Sequence, residues 1–440
     1  MPFFYGWVIV GVAFVTMAIG VNARTAFSLL FPPILDEFGW ERGVTAGAFS
    51  FGFLVSAALS PFVGRLMDRR GPRVVIELGV GVMALGLLLA PLVRQPWQLY
   101  LTLGVLVGGG GNCLGYTGQS LYLPNWFVRR RGLASSLAFS GVGVGAIVLL
   151  PWVQGIIAGA GWRAACTALG VLVVAVLAPL NLLLRRRPQE IGLEPDGDNA
   201  PRDTSQTQTT DVARRLQIVD PAWAAVDWTL GRAVRTARFW WIAAGYFFGL
   251  FAWYAVQVHQ TKYLLEIGFD ASLAAWALGL VSLVAVPGQI ALGHVSDRIG
   301  REAVWTVGCL GFVLCLLILL VLPQAPTPAL LYLMVVAQGM LGYSLTSVIG
   351  AIPLEIFEGR HYGTIFGTLM LAAITGGAAG PWAAGALHDA TGSYAPAFSF
   401  ALAGSAFSAL AIWLAAPRKV RAVATAPPAR GRRRRASSSP

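Results

Sequence analysis

Residues Gly64 to Arg73, GRLMDRRGPR, sit between two long apolar runs, and a near copy, GHVSDRIGR, spans Gly293 to Arg301. Superposing the two sets Gly64 on Gly293, Asp68 on Asp297, Arg69 on Arg298 and Gly71 on Gly300, each pair 229 positions apart. An ordinary charged turn would not recur in register. A polar, glycine-punctuated loop repeated at that distance implies two homologous halves.

The surroundings of the repeat say what the halves are made of. The chain is 56% hydrophobic and 12% charged, with mean hydropathy +0.67. Soluble domains carry about 25% charged residues, so an integral membrane protein is the expectation. A span needs about 20 apolar residues, and the 440 residues hold room for about twelve. The apolar runs fall near 6–31, 43–66, 73–93, 97–123, 132–157 and 163–184, then 238–263, 272–296, 303–322, 328–352, 362–387 and 394–416. The fold class expected is an all-α membrane protein of twelve helices in two six-helix halves. The opening MPFFYGWVIV lacks a basic n-region, so the first span is expected to be retained rather than cleaved as a signal.

Charge sets the orientation. The net charge is +12, which can mark a nucleic-acid binder. Here most basic residues lie in short loops between apolar runs: Arg65, Arg69, Arg70 and Arg73 after span 2, Arg129 to Arg131 after span 4, Arg298 and Arg301 after span 8. The positive-inside rule makes those loops cytoplasmic, with both termini. No nucleic-acid partner is expected. Residues 1–184 and 238–417 form the halves. Residues 185–237 are a cytoplasmic linker with a polar, disordered middle and an interfacial amphipathic helix from about Val212. Residues 418–440 are a disordered basic tail near anionic lipid. Cys113, Cys166, Cys309 and Cys315 all lie in apolar runs and read as small core residues, not as a disulfide or metal framework. No cofactor is expected.

The repeated G-x-x-x-D-R-x-G-R, at the expected place in each half, resembles the major facilitator superfamily; the first copy departs in having Pro72 where a basic residue is common. Further stretches resemble the bacterial branch of the monocarboxylate and oxalate:formate carriers. They are Tyr5-Gly6-Trp7, Phe38-Gly39-Trp40, Trp126-Phe127 followed by Arg129 to Ala134, Gly161-Trp162-Arg163, and RRRPQEIGLEPDG after span 6. The resemblance implies a multi-pass carrier of small organic anions in a bacterial plasma membrane, working by alternating access. It also implies that spans 1, 4, 7 and 10 line a central cavity.

Arg24 is the most informative single residue. It lies roughly 27 Å along span 1 at 1.5 Å per residue, where a guanidinium costs about 2.5–3.5 kcal/mol. A carboxylate clamp would justify that cost; the alternatives are snorkelling to the headgroups or a structural ion pair. Asn112, Tyr116 and Gln119 share one helical face of span 4 and suit either a cavity or interhelical hydrogen bonds. Gln257 and His259 on span 7 and Tyr343 on span 10 complete the substrate-binding candidates. Gln257 and His259 point about 200° apart on a helix. Span 8 carries no charged residue before its loop, where such carriers often have a basic one, so any clamp leans on Arg24. The glycine–aspartate–arginine loops, Gly64, Asp68, Arg69, Gly71 and Gly293, Asp297, Arg298, Gly300, are the expected conformational switches. Asp68 is expected to latch at the start of span 11 near His361.

The function classes separate on these residues. A secondary carrier of a small organic anion, probed first as a monocarboxylate, fits Arg24, and protons are a candidate second ligand through His259, the only titratable candidate left in the central spans. An exporter of uncharged or cationic drugs would call for a central acid, which spans 1, 4, 7 and 10 lack. A non-transporting sensor or scaffold would need a docking segment, and only the basic tail offers one. No nucleophile–base set, phosphate loop or metal cluster is present in the sequence, so an enzyme is not expected.

Overall fold

Lipid offers the backbone no hydrogen-bond partner, so every apolar run must satisfy its own peptide groups as a helix. The computed structural model describes residues 4–40, 42–197 and 216–423. In the first half α1 is Gly6–Phe38, α2 is Arg42–Arg70 and α3 is Pro72–Leu92. Helix α4 runs over 96–120 in pieces, with α-helical Gly108–Leu114 and Tyr116–Ser120 separated by an extended Gly115. Helices α5 and α6 share one unbroken stretch, Arg131–Asn181, and part at Gly161, whose φ of 83° reverses the chain. In the second half α7 is Ala237–Glu266, α8 Ala271–Ile299, α9 Arg301–Val321, α10 Pro328–Ile356, α11 Tyr362–Thr391 and α12 Ala395–Ala415. The protein is an all-α membrane protein of twelve helices, and both ends of the helical bundle lie on the face that carries the 185–237 linker, here called the linker face.

The repeated motif sits differently from its sequence reading. Gly64, Asp68 and Arg69 ride the last turns of α2, and Gly293, Asp297 and Arg298 the last turns of α8, not loops. The loop in each half shrinks to one glycine, Gly71 at φ 79° and Gly300 at φ 101°. A side chain resists that backbone region, so glycine lets one helix reverse directly into the next.

The linker and tail also depart from expectation. In place of one interfacial helix there is a short strand β1, Leu216–Ile218, followed by two single turns, Pro221–Ala224 and Leu230–Ala233. Asp220, Pro221 and Gly231 punctuate the segment, and Asp220 caps the first turn by accepting from the Trp223 N–H at 3.0 Å. Trp223 and Trp228 turn inward onto Phe357 instead of lying in the interface. Residues 418–423 are ordered as well. Strand β2, Arg421–Val423, pairs antiparallel with β1, and Arg421 is buried, donating to the Glu355 carbonyl at 2.9 Å and pairing with Glu358 at 2.9 Å. The expectations for the polar middle of the linker and for the tail beyond 423 fall outside the described residues. Its leading edge, Pro195–Gly197, is held: the Asp196 carboxylate accepts from the Val128 and Arg129 N–H groups at 3.1 and 3.0 Å.

The scattered motifs of the first half converge at its two ends. On the face opposite the linker, Trp162 donates to Glu37 at 2.7 Å, Arg163 pairs with the same carboxylate, and Phe38 stacks on Trp40 at 4.3 Å. On the linker face, Trp126 packs on Tyr5 at 5.8 Å and Phe127 on Trp7 at 5.0 Å, while the Trp126 indole donates to the Arg185 carbonyl at 3.2 Å.

The halves are not equivalent at this face. In the second half Arg301 is buried and binds Asp297 at 2.6 Å and Glu355 at 3.0 Å. The positions 229 residues earlier hold Pro72 and Trp126, so the first half replaces that ion network with the aromatic cluster. A buried pair that loses one partner leaves an uncompensated charge and costs about 3–5 kcal/mol. Arg301→Ala strands two carboxylates, and we expect it to lower the detergent melting temperature sharply; Trp126→Leu, which strands no charge, is expected to cost less in the same thermal-shift assay.

Candidate functional site

Two reciprocal latches join the halves at the linker face. Asp68 accepts from the Gly363 and Thr364 N–H groups and the Thr364 hydroxyl, each at 2.8 Å, at the first turn of α11. Asp297 accepts from the Gly132 and Leu133 N–H groups at 2.9 and 3.1 Å, at the first turn of α5. Each carboxylate therefore satisfies orphan donors at the positive end of a helix from the other half. The glycines make this possible. A Cβ on Gly363 would stand 2.6 Å from the Gly64 carbonyl oxygen, and one on Gly293 would stand 2.6 Å from that of Gly132. Glu358 adds a bridge between Arg421 at 2.9 Å and Arg131 of the first half at 3.9 Å. Arg69 and Arg298 are exposed. The linker face is thus shut in this arrangement.

Between the halves, beside the middle of α1, lies an aromatic cluster around one cation. The Arg24 guanidinium sits over the Phe53 ring at 3.8 Å, with Phe49 at 5.7 Å. Its Nη2 is fully occluded and has no hydrogen-bond partner. Arg24 neither snorkels nor forms an ion pair among the described residues. Tyr254 of α7 meets the Phe53 ring edge-on at 5.9 Å and lies within Coulombic range of Arg24, Tyr116 and Tyr343. Tyr343 packs on Trp253 at 4.1 Å, and Tyr116 on Phe139 at 5.2 Å. Both halves thus supply rings to one place.

The other candidates lie elsewhere. Asn112 is committed to α2, donating to the Ser56 carbonyl and the Ser60 hydroxyl, both at 3.1 Å. Gln119 is fully buried and donates to the Leu114 carbonyl within its own helix at 3.2 Å. The break at Gly115 rotates Tyr116 relative to Asn112, so the three side chains do not share one straight face. Gln257 accepts from the Trp253 indole at 3.0 Å and borders the cluster. His259 faces α11 and the start of α12, with Nε2 2.9 Å from the Pro381 carbonyl and Nδ1 3.3 Å from the Tyr394 hydroxyl. A carbonyl only accepts, so Nε2 carries the proton and Nδ1 accepts from Tyr394.

Two residues of consequence were not singled out in sequence, and a third was read only as a loop arginine. Phe53 and Tyr254 are ordinary aromatics in apolar runs, and only the meeting of the halves brings them to Arg24. Arg301 had a signal: it is the final basic residue of the second motif copy, at the place where the first copy has Pro72.

A family model described as Major Facilitator Superfamily matches residues 12–349 and, a second time, 263–439. Monocarboxylate transporter 13 of Rattus norvegicus is 29% identical over 414 residues, covering 91% of this chain and 87% of that protein. Monocarboxylate transporter 12 of Homo sapiens is 26% identical, covering 90% of this chain and 77% of that protein. Among solved structures, the E. coli fucose:proton symporter FucP superposes with a TM-score of 0.64 at 16% identity, covering 93% of this chain and 98% of that one. The proton:xylose symporter XylE superposes at 0.68 with 13% identity, covering 93% and 95%.

Charge-assisted hydrogen bonds are worth about 1.5–3 kcal/mol. Asp68→Asn keeps one acceptor but turns an amide donor toward donors, so the latch weakens. Spin labels at Arg69→Cys and Arg298→Cys are expected to report a longer, broader distance distribution in the Asp68→Asn background, with slower turnover; an unchanged distribution would remove the latch role.

Proposed function

Because the chain belongs to the Major Facilitator Superfamily, we propose that it is a secondary active carrier of a small monocarboxylate, working by alternating access about the central cluster. Arg24 carries this reading. It is a partly buried guanidinium in the middle of a span, its central carbon 3.8 Å from the centroid of the Phe53 ring, with a donor that no protein group uses. A guanidinium offers paired donors in a fork that matches a carboxylate. The monocarboxylate transporters that the chain resembles support the same substrate class. The drug-exporter alternative lacks support, since no acid lies in the central cluster among the described residues.

The linker face is proposed as the cytoplasmic one. The arginines of the even loops support this by the positive-inside rule, and it would place the linker and both termini in the cytoplasm of a bacterial cell. The arrangement described is then the one closed to the cytoplasm. Opening requires Asp68 and Asp297 to leave their helix ends together, since each half holds the other. Substrate entering from outside would meet Arg24, exchange hydration for the guanidinium fork, and be released inward once the latches part.

Arg24→Ala is expected to abolish carboxylate binding measured by calorimetry on purified protein. Arg24→Lys is expected to weaken it about 10- to 100-fold, because a point charge loses one charge-assisted bond worth about 1.5–3 kcal/mol. Affinity retained in Arg24→Ala would make the residue structural. Coupling is read separately in proteoliposomes. Arg24 stays protonated throughout, so His259 is the proposed proton site. A pH gradient should then drive uphill anion accumulation that His259→Gln abolishes. A gradient that drives nothing identifies an anion exchanger or facilitator, and coupling that survives His259→Gln excludes this histidine.

A further inference from the structure

We infer that the carried anion is an aromatic monocarboxylate, a ring joined to one carboxylate by a short arm, and not a short hydroxy acid or a dicarboxylate. The inference rests on the anion-carrier reading above and concerns the same site.

Among the described residues the central cluster holds a single cation, Arg24. Other basic side chains of the spans lie at helix ends. Arg163 pairs with Glu37 and Lys262 with Glu266 toward the face opposite the linker, and Arg301 is consumed by Asp297 and Glu355 at the linker face. One cation neutralises one carboxylate, and a second carboxylate in this low-dielectric place would be left uncompensated.

Rings gather around that cation, while the small pocket that includes Arg24 is otherwise lined mainly by Leu30, Leu87, Leu103 and Val107. The Arg24 guanidinium carbon stands 3.8 Å from the Phe53 ring centroid, and Tyr254 meets the same ring at 5.9 Å, so a ligand carboxylate held by Arg24 would have rings of both halves beside it. Trp253 packs on Tyr343 at 4.1 Å and lies 6.4 Å from Tyr254, which in turn meets Phe53 of the first half at 5.9 Å. Aliphatic side chains would serve equally well for burying a methyl or an alkyl tail. Rings supply something further: negative faces and positive edges that favour another ring in edge-to-face or offset geometry. Tyr116, Tyr254, Tyr343 and Gln257 add neutral polar groups to this aromatic region. A ligand ring between Tyr116 and Tyr254 would touch both halves at once. That contact would be lost when the halves rock apart, which links occupancy to the conformational cycle.

The test is isothermal titration of the purified full chain with phenylacetate, cyclohexylacetate, acetate, lactate and oxalate. Cyclohexylacetate matches phenylacetate in charge and bulk but has no ring quadrupole. We expect phenylacetate to bind at least about tenfold tighter than acetate or lactate and severalfold tighter than cyclohexylacetate, with oxalate weakest. Tyr254→Leu and Trp253→Leu should each cost phenylacetate more than cyclohexylacetate, narrowing the gap between them. Acetate or lactate binding as tightly as phenylacetate overturns the inference while leaving the carrier reading intact, and so does equal affinity for the phenyl and cyclohexyl acids. If none of the five binds and Arg24→Ala changes nothing, the anion-carrier reading itself has failed. Melting temperatures of the unliganded variants separate lost binding from lost folding. The wild-type ranking decides the question even where a variant does not fold.

Discussion

Two aspartates hold the linker face together, each lent by one half to a helix of the other. Asp68 caps α11 and Asp297 caps α5, through backbone N–H groups that would otherwise be orphaned at a helix start. The arrangement depends on backbone proximity. Gly64 and Gly293 stand where any Cβ would strike the opposing strand of backbone, Gly363 and Gly132 respectively. A carboxylate reaches only a few ångströms, so without these glycines the aspartates would cap nothing. Because the bonds are to backbone, they depend on the position of a whole helix, and breaking them is a rigid-body event. That is the property a rocking carrier needs.

The pseudo-symmetry is incomplete in a way that matters. The second half backs its aspartate with Arg301, Glu355 and the buried Arg421 of β2. The first half has Pro72 and Trp126 at the corresponding positions and relies on the stack of Tyr5, Trp7, Trp126 and Phe127. One latch is thus set in a charge network and the other in apolar packing. Strand β2 and the linker strand β1 are joined to the charged side, so the end of the helical bundle and the linker brace the second half. Glu358, between Arg421 and Arg131, extends that brace to the first half.

The centre is built on the opposite principle. Charge is spare there: one guanidinium, no acid among the described residues, and rings from α1's neighbours and from α7 and α10. A cation without a protein counter-ion is unfavourable in a membrane interior. Phe53 lessens that cost through the ring face, and on the proposed reading a substrate carboxylate removes the rest. The same deficit that makes Arg24 costly when empty makes it selective when filled.

The sequence alone carried the two-half repeat, the twelve spans and the exceptional position of Arg24. These follow from composition and spacing, because lipid forces apolar runs into helices and a charge among them stands out. Which side chains meet was decided by tertiary structure. Asn112, Tyr116 and Gln119 share a face on paper, but an extended Gly115 divides their helix, and each side chain then answers to a different neighbour. His259 turned out to bind Pro381 and Tyr394, away from the central rings. Phe53 and Tyr254 had no sequence signal at all, since aromatic residues are common in spans and only the approach of two halves selects the ones that touch. The switch motif read as a loop because its polar residues interrupt hydropathy, yet it is helical: exposed Arg69 and Arg298 sit favourably at helix C-termini, and the aspartates find partners across the interface. Local chemistry determined the elements; the interface between the halves, whose contacts span nearly 300 positions of sequence between Asp68 and Thr364, determined the site.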